Sequence, residues 1–214
     1  MTENLVATAL SVVLAMAFAA LPSAALSDDL ERGKVLFNLC QQCHGPDGGG
    51  LSLALAPAIA GQEQWYLEAQ LQAFRLGLRG LHPDDLGGLR MYPMSQWLRT
   101  DEDTRAVAAY AASLPPARPP ATLHSGDPKK GAALWATCQV CHGKQGEGMK
   151  DLNSPALVGM NDWYLLTSIE KFKSGVRGAN PNNTNAALMR GMVASLPDEN
   201  AIHDVIAFIA TLKR

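Results

Sequence analysis

The chain has 214 residues, 47% of them hydrophobic and 18% charged, with a formal net charge of −2. So much apolar material excludes a disordered chain. A single long uncharged stretch excludes a polytopic membrane protein, and the small negative charge lacks the basic footprint of a nucleic-acid binder.

The uncharged stretch comes first. No charged residue lies between Glu3 and Asp28, and the run from Leu5 to Leu26 is broken only by Thr8, Ser11, Pro22 and Ser23. Ser23-Ala24-Ala25 fits a secretory signal cleaved after Ala25. About 20 apolar residues also suffice for a retained membrane anchor. The absence of Lys and Arg before the run weakens the signal reading and gives no orientation cue for the anchor. Either way residues 1–26 direct the rest of the chain out of the cytoplasm.

Beyond this segment the apolar spacing reads as helices throughout. Asp28 to Leu39 leads into Cys40-Gln41-Gln42-Cys43-His44. Gln62 to Leu76 follows, with Trp65, Leu67, Leu71 and Phe74 as its apolar set. Thr100 to Leu114 is the third, with Thr100 as N-cap and Asp101, Glu102 and Asp103 in its electropositive first turn. Leu114-Pro115-Pro116-Ala117-Arg118-Pro119-Pro120 then stops the helix and favours extended chain. The pattern restarts with helices at about Gly126–Thr137, Asn161–Phe172 and Pro197–Leu212. No period-2 strand is evident, and Gly-rich loops are expected between the helices.

The restart is a duplication. Cys138-Gln139-Val140-Cys141-His142 lies 98 residues after the first motif, and the same offset carries Gly33 to Gly131, Pro57 to Pro155 and Trp65-Tyr66-Leu67 to Trp163-Tyr164-Leu165. It also carries Arg79 to Arg177 and Met91 and Met94 to Met189 and Met192. No insertion is needed, which makes this a tandem repeat of about 90 residues. The expected organisation is a segment at 1–26, a first domain at 27–114, a Pro-rich linker at 115–127 and a second domain at 128–214.

The spacing of the cysteines selects their chemistry. A zinc site made of two Cys-x-x-Cys knuckles wants them roughly 15–20 residues apart, not in separate repeats. A thioredoxin-like motif wants a preceding strand, whereas here a helix precedes it. Cys-x-x-Cys-His suits covalent haem: two thiols one helical turn apart meet the two vinyl groups of one porphyrin, and the adjacent His lies beneath the iron. Cys40, Cys43, Cys138 and Cys141 are therefore expected to attach two haem c groups, with His44 and His142 as iron ligands.

An electron carrier wants a second ligand on each iron, and Met raises the potential. Met91 and Met189 each follow their His by 47 residues, and Met94 and Met192 each by 50, so spacing alone does not choose between them. His82, His124 and His203 do not recur in the repeat and are expected at the surface. Trp65, Tyr66, Arg79 and their repeat mates read either as ordinary packing and surface solvation, or as contacts to the haem and its propionates. Charge is uneven. Residues 27–116 hold 7 basic and 11 acidic side chains, and residues 117–214 hold 11 and 8. That difference could orient the molecule towards two partners, or be surface drift after duplication.

From Asp28 to Lys213 the sequence resembles class I di-haem cytochromes c of the c4 type. The residues that carry the likeness are Cys40-Gln-Gln-Cys43-His44-Gly45, Asp47-Gly48, Pro57, Gly61-Gln62, Tyr66-Leu67, Gln70-Leu71, Phe74 and Gly77-Leu78-Arg79. Ala108-Ala109-Tyr110 and the second copy extend it. In that family the ligand Met stands seven residues before the Leu that precedes the last helix, which implies Met91 (before Leu98) and Met189 (before Leu196). The resemblance implies an all-α fold of two tandem cytochrome c domains, each wrapped around a covalent haem. It implies a periplasmic electron carrier rather than an enzyme. Its expected partners are donor and acceptor redox proteins, often membrane-bound: a quinol-oxidising complex or dehydrogenase on one side, a terminal oxidase or reductase on the other. It leaves open association with, or anchoring to, the membrane surface. The alternative is the cytochrome subunit of a dehydrogenase complex, such as a flavin-dependent sulfide dehydrogenase. A di-haem enzyme is disfavoured, because it needs a displaceable iron ligand and a distal acid/base, and no His recurs to serve as one.

Overall fold

A computed structural model describes residues 21–213, so most of the 1–26 segment lies outside the described residues. Eight α-helices are present among them: α1 (Leu21–His44), α2 (Gln64–Arg75), α3 (Leu86–Gln96), α4 (Asp101–Ser113), α5 (Pro128–His142), α6 (Asp162–Ser174), α7 (Thr184–Val193) and α8 (Glu199–Ile209). Strand pairing among the described residues is limited to the isolated bridges Leu51–Ala56 and Met149–Ser154. No described helix is long and apolar enough to cross a membrane.

The duplication holds in three dimensions. Single 3₁₀ turns at Ser52–Ala54 and Lys150–Leu152 occupy matching places, each ended by a left-handed residue, Leu55 and Asn153. In each half the helix bearing the Cys motif crosses the last helix, α1 on α4 and α5 on α8. Gly33 and Gly131 sit at these crossings. A Cβ there would overlap the backbone carbonyl of Ala106 or Asp204, so the close approach requires glycine.

The two cores differ in bulk. In the first half Leu36, Phe37, Leu67 and Leu98 pack against an alanine-rich α4 containing Ala106, Ala108 and Ala111. In the second, Trp135, Leu165, Ile169 and Phe172 meet Ile202, Val205, Ile206 and Ile209 of α8.

Four helices differ from expectation: α1 begins at Leu21 rather than Asp28, and α1 and α5 run on through the Cys motifs to His44 and His142 instead of ending at Leu39 and Thr137. The segments holding the Met pairs are helices α3 and α7, not loops. Gly87, Gly88 and Pro93 make Leu86–Gln96 a poor intrinsic helix former. Its start is fixed by Asp85, whose side chain accepts from Gly88 N–H, as Asn183 accepts from Ala186 N–H at the start of α7.

The linker is extended and strapped to its surroundings. Asp162 accepts from Thr122 N–H, Thr122 Oγ1 and Leu123 N–H at 2.6–2.8 Å. Asp127 N–H donates to Asp204. His203, expected at the surface, is only 17% exposed and pairs with Ser125 Oγ at 2.8 Å, whereas His82 and His124 are exposed.

Candidate functional site: two Cys-x-x-Cys-His cavities sharing one interface

Each Cys-x-x-Cys-His motif closes its helix. The last turn of α1 presents Cys40, Cys43 and His44, and the last turn of α5 presents Cys138, Cys141 and His142. No disulfide joins the four cysteines. Burial is the main influence on the Cys40 thiol and pushes it up to about 11; it raises Cys138 as well.

The histidines are buried, at 6% and 7% exposure. His44 Nδ1 lies 2.7 Å from Pro57 O, and His142 Nδ1 lies 2.8 Å from Pro155 O. A carbonyl only accepts, so Nδ1 carries the proton and Nε2 keeps its lone pair. Burial lowers both pKa values, with the Pro carbonyls opposing it in part, and the rings stay neutral. A neutral imidazole with Nδ1 fixed by a carbonyl is the arrangement that aims Nε2 at a metal.

A cavity opens in front of each motif. The first, about 170 Å³, is lined by Cys40, Cys43, His44, Met91 and Met94. The second, about 680 Å³, is lined by Cys138, Cys141, His142, Met189 and Met192. Both reach the interface between the halves: Tyr164 and Lys171 of the second half line the first cavity, and Trp65, Tyr66 and Arg79 of the first half line the second. Within each Met pair the members differ. Met91 and Met189 are half-buried, and Met189 packs on the core, while Met94 and Met192 are each 43% exposed. Two thiols, a neutral imidazole and a thioether around an apolar cavity are the donors that a covalent haem needs, so the residues present fit that group.

The interface joining the cavities was not anticipated. It is built on matching pairs. Ala58 N–H donates to Asn161 Oδ1 (2.6 Å), and its mate Ala156 N–H to Glu63 Oε2 (3.4 Å). Gln62 Nε2 meets Met160 Sδ, its own repeat mate, at 2.9 Å, which marks an internal pseudo-two-fold axis. Arg79 donates to Tyr164 Oη at 2.9 Å, and Arg177 reaches Tyr66 in return. Each guanidinium also stacks on a ring of its own half, Arg79 on Phe74 and Arg177 on Phe172. Burial disfavours the Tyr164 phenolate, but the two guanidiniums outweigh it and bring the hydroxyl down to about 7. The arginines are thus neither solvated surface groups nor confined to one half. The recurrence of the arginines and of Tyr66 and Tyr164 was the signal in the sequence; that each arginine would pair with the tyrosine of the other half left none.

Comparison with known proteins agrees with this geometry. The sequence model of the Cytochrome c family matches residues 30–115 and again 128–213. Cytochrome c4 of Thiocapsa roseopersicina is 30% identical over 185 residues, covering 80% of this chain and 86% of that protein. A thiosulfate dehydrogenase electron acceptor of Stutzerimonas stutzeri is 30% identical over 164 residues, covering 72% and 71%. Against cytochrome c-552 of Acidithiobacillus ferridurans, 30% identical over 147 residues, the chain spans 64% of its own length and 61% of the relative's. The crystal structure of reduced cytochrome c4 from Pseudomonas stutzeri superposes with a TM-score of 0.67 at 28% identity, over 86% of this chain and 98% of that one. Two matched domains, two Cys-x-x-Cys-His cavities and a structural likeness over both domains lead to one conclusion: the chain belongs to the cytochrome c family, as a tandem di-haem protein of the c4 type that carries two covalent haem c groups.

Proposed function

We propose that this chain carries single electrons between redox proteins in the periplasm, through two sites each ligated by His and Met. The observation that carries the reading is the complete donor set repeated around each cavity. When bound, each haem supplies an iron that gains and loses one electron.

The chain's own residues do the rest. Cys40 and Cys43, and Cys138 and Cys141, at the ends of α1 and α5, would hold the ring by thioether bonds. His44 and His142 present Nε2, held in place by Pro57 and Pro155. Met91 on α3 and Met189 on α7 would supply the second iron ligand of each site, and their burial relative to Met94 and Met192 supports that choice. Apolar walls, including Leu67 and Phe74 in the first half and Leu165 and Phe172 in the second, exclude water and limit reorganisation as charge changes.

Optical spectra of protein matured in a periplasm, with haem counted per chain, test this. Two haems per chain and a Met–iron charge-transfer band in the oxidised state are expected. Met91→Ala should halve that band and Met189→Ala should remove the other half, while Met94→Ala and Met192→Ala leave it intact. Loss of the band in the Met94 or Met192 proteins would reassign the ligands, and high-spin iron reactive to peroxide would favour an enzyme. The likeness to a thiosulfate dehydrogenase electron acceptor supports a second reading, in which the donor is a dehydrogenase bound as a stable complex. Co-elution of the two proteins would favour it over free diffusion.

A further inference from the structure

The pseudo-two-fold interface is broken at one charged contact. Lys171 Nζ of α6 lies 2.7 Å from Asp85 Oδ1 at the start of α3, so a cation of the second half meets a carboxylate of the first. The Asp85 side chain is 2% exposed and that of Lys171 27%. The 98-residue offset converts this pair into Asn183 and Ala73, which cannot form an ion pair. Both pairs lie in equivalent walls. Asp85 and Lys171 line the first cavity, and Asn183 and Ala73 line the second.

Asp85 is also tied to the helix that carries Met91. Its Oδ1 caps α3 through Gly88 N–H at 2.9 Å as well as receiving Lys171, while Oδ2 is buried without a hydrogen-bond partner. Burial opposes ionisation of this carboxyl, but the Lys171 bond, the Gly88 N–H and the Arg79 charge together outweigh it and keep it an anion. A buried anion is tolerable only with its cation in place.

We propose that Lys171 is a positioning residue for the first site, acting across the interface to neutralise Asp85 and pin the capped end of α3, so that the first site's reduction potential depends on docking to the second half. The proposal rests on the reading that Met91 of α3 ligates the first iron. Its electrostatic sign follows directly. An unbalanced carboxylate in the cavity wall favours the more positive, oxidised iron, and an unbalanced ammonium favours the reduced one.

The test is a redox titration of the di-haem protein, with the two waves assigned by Met91→His and Met189→His. Lys171→Ala should lower the first site's reduction equilibrium by on the order of tenfold, ~59 mV for a one-electron couple. Asp85→Asn keeps a capping side chain and should raise it. The double variant Asp85→Asn/Lys171→Ala gives the first site the residues of the second and should return it towards the parent value. The second wave should stay in place throughout. Small-angle scattering on the same holoproteins reads docking of the halves, which Lys171→Ala should loosen. A merely structural role would loosen the halves without moving the first wave, and that result overturns the proposal, as does movement of the second wave instead. If Lys171→Ala does not accumulate, Asp85→Asn alone decides the sign: a fall, or no shift, overturns it. Failure of the underlying ligand reading is seen separately, as a first-site band that survives Met91→Ala.

Discussion

Gly131 shows how a single residue carries the geometry of a site. It lets α5 approach α8 closely enough that the Cys138–His142 turn faces its cavity, and a methyl group there would meet the Asp204 carbonyl. Gly131→Ala should cost about 1–3 kcal/mol through overpacking, read as a lower thermal midpoint of protein that still holds two haems. The attachment motif was legible in the sequence, because Cys-x-x-Cys-His places two thiols and an imidazole within five adjacent residues, and the structure buries both imidazoles against proline carbonyls. Spacing from the histidines left the Met choice open, and the family resemblance pointed to Met91 and Met189. Two methionines three apart lie close to one face of a helix, and the greater burial of Met91 relative to Met94 supports the same choice.

At the scale of the element, the helices that bury a regular apolar face were readable, and α2, α4, α6 and α8 begin within two residues of where the pattern places them. Helices α3 and α7 were not: Gly87, Gly88 and Pro93 oppose the first, Gly191 interrupts the second, and tertiary packing together with an N-cap overrides that preference. Asp85 and Asn183 were the available signals. The linker behaves as an element of its own. Burial opposes ionisation of Asp162, but the Thr122 and Leu123 donors dominate and lower its pKa. A carboxyl lowered in the folded state contributes stability that is present above its ordinary value of about 3.9 and is lost as pH falls through the lowered value. Asp162→Asn should therefore make the 115–127 segment more susceptible to limited proteolysis at pH 7. The parent should approach that susceptibility only under acid conditions.

The whole molecule is held by contacts between repeats that no local pattern announces. Arg79 and Tyr164 are far apart in sequence, and each reads alone as an ordinary residue. Only their recurrence as Arg177 and Tyr66 hinted at a shared task. Removing the hydroxyl in Tyr164→Phe leaves a buried guanidinium donor unmatched, at a cost of about 1–3 kcal/mol. The expected readout is a larger radius of gyration by small-angle scattering, with the haem content unchanged. An equal radius would show that the remaining pairs across the axis suffice.

The pseudo-two-fold axis has a consequence for how the two halves can diverge. In a homodimer of identical subunits every substitution is made twice, and an interface must tolerate both copies. Fusion of the halves into one chain lifts that rule. Asn161 could differ from Glu63, and an acid could meet a base at Asp85 and Lys171 with no second such pair on the other side. A self-complementary assembly treats its two ends alike. A fused one has a front and a back, and a carrier with a front and a back can hand its charge on in one sense.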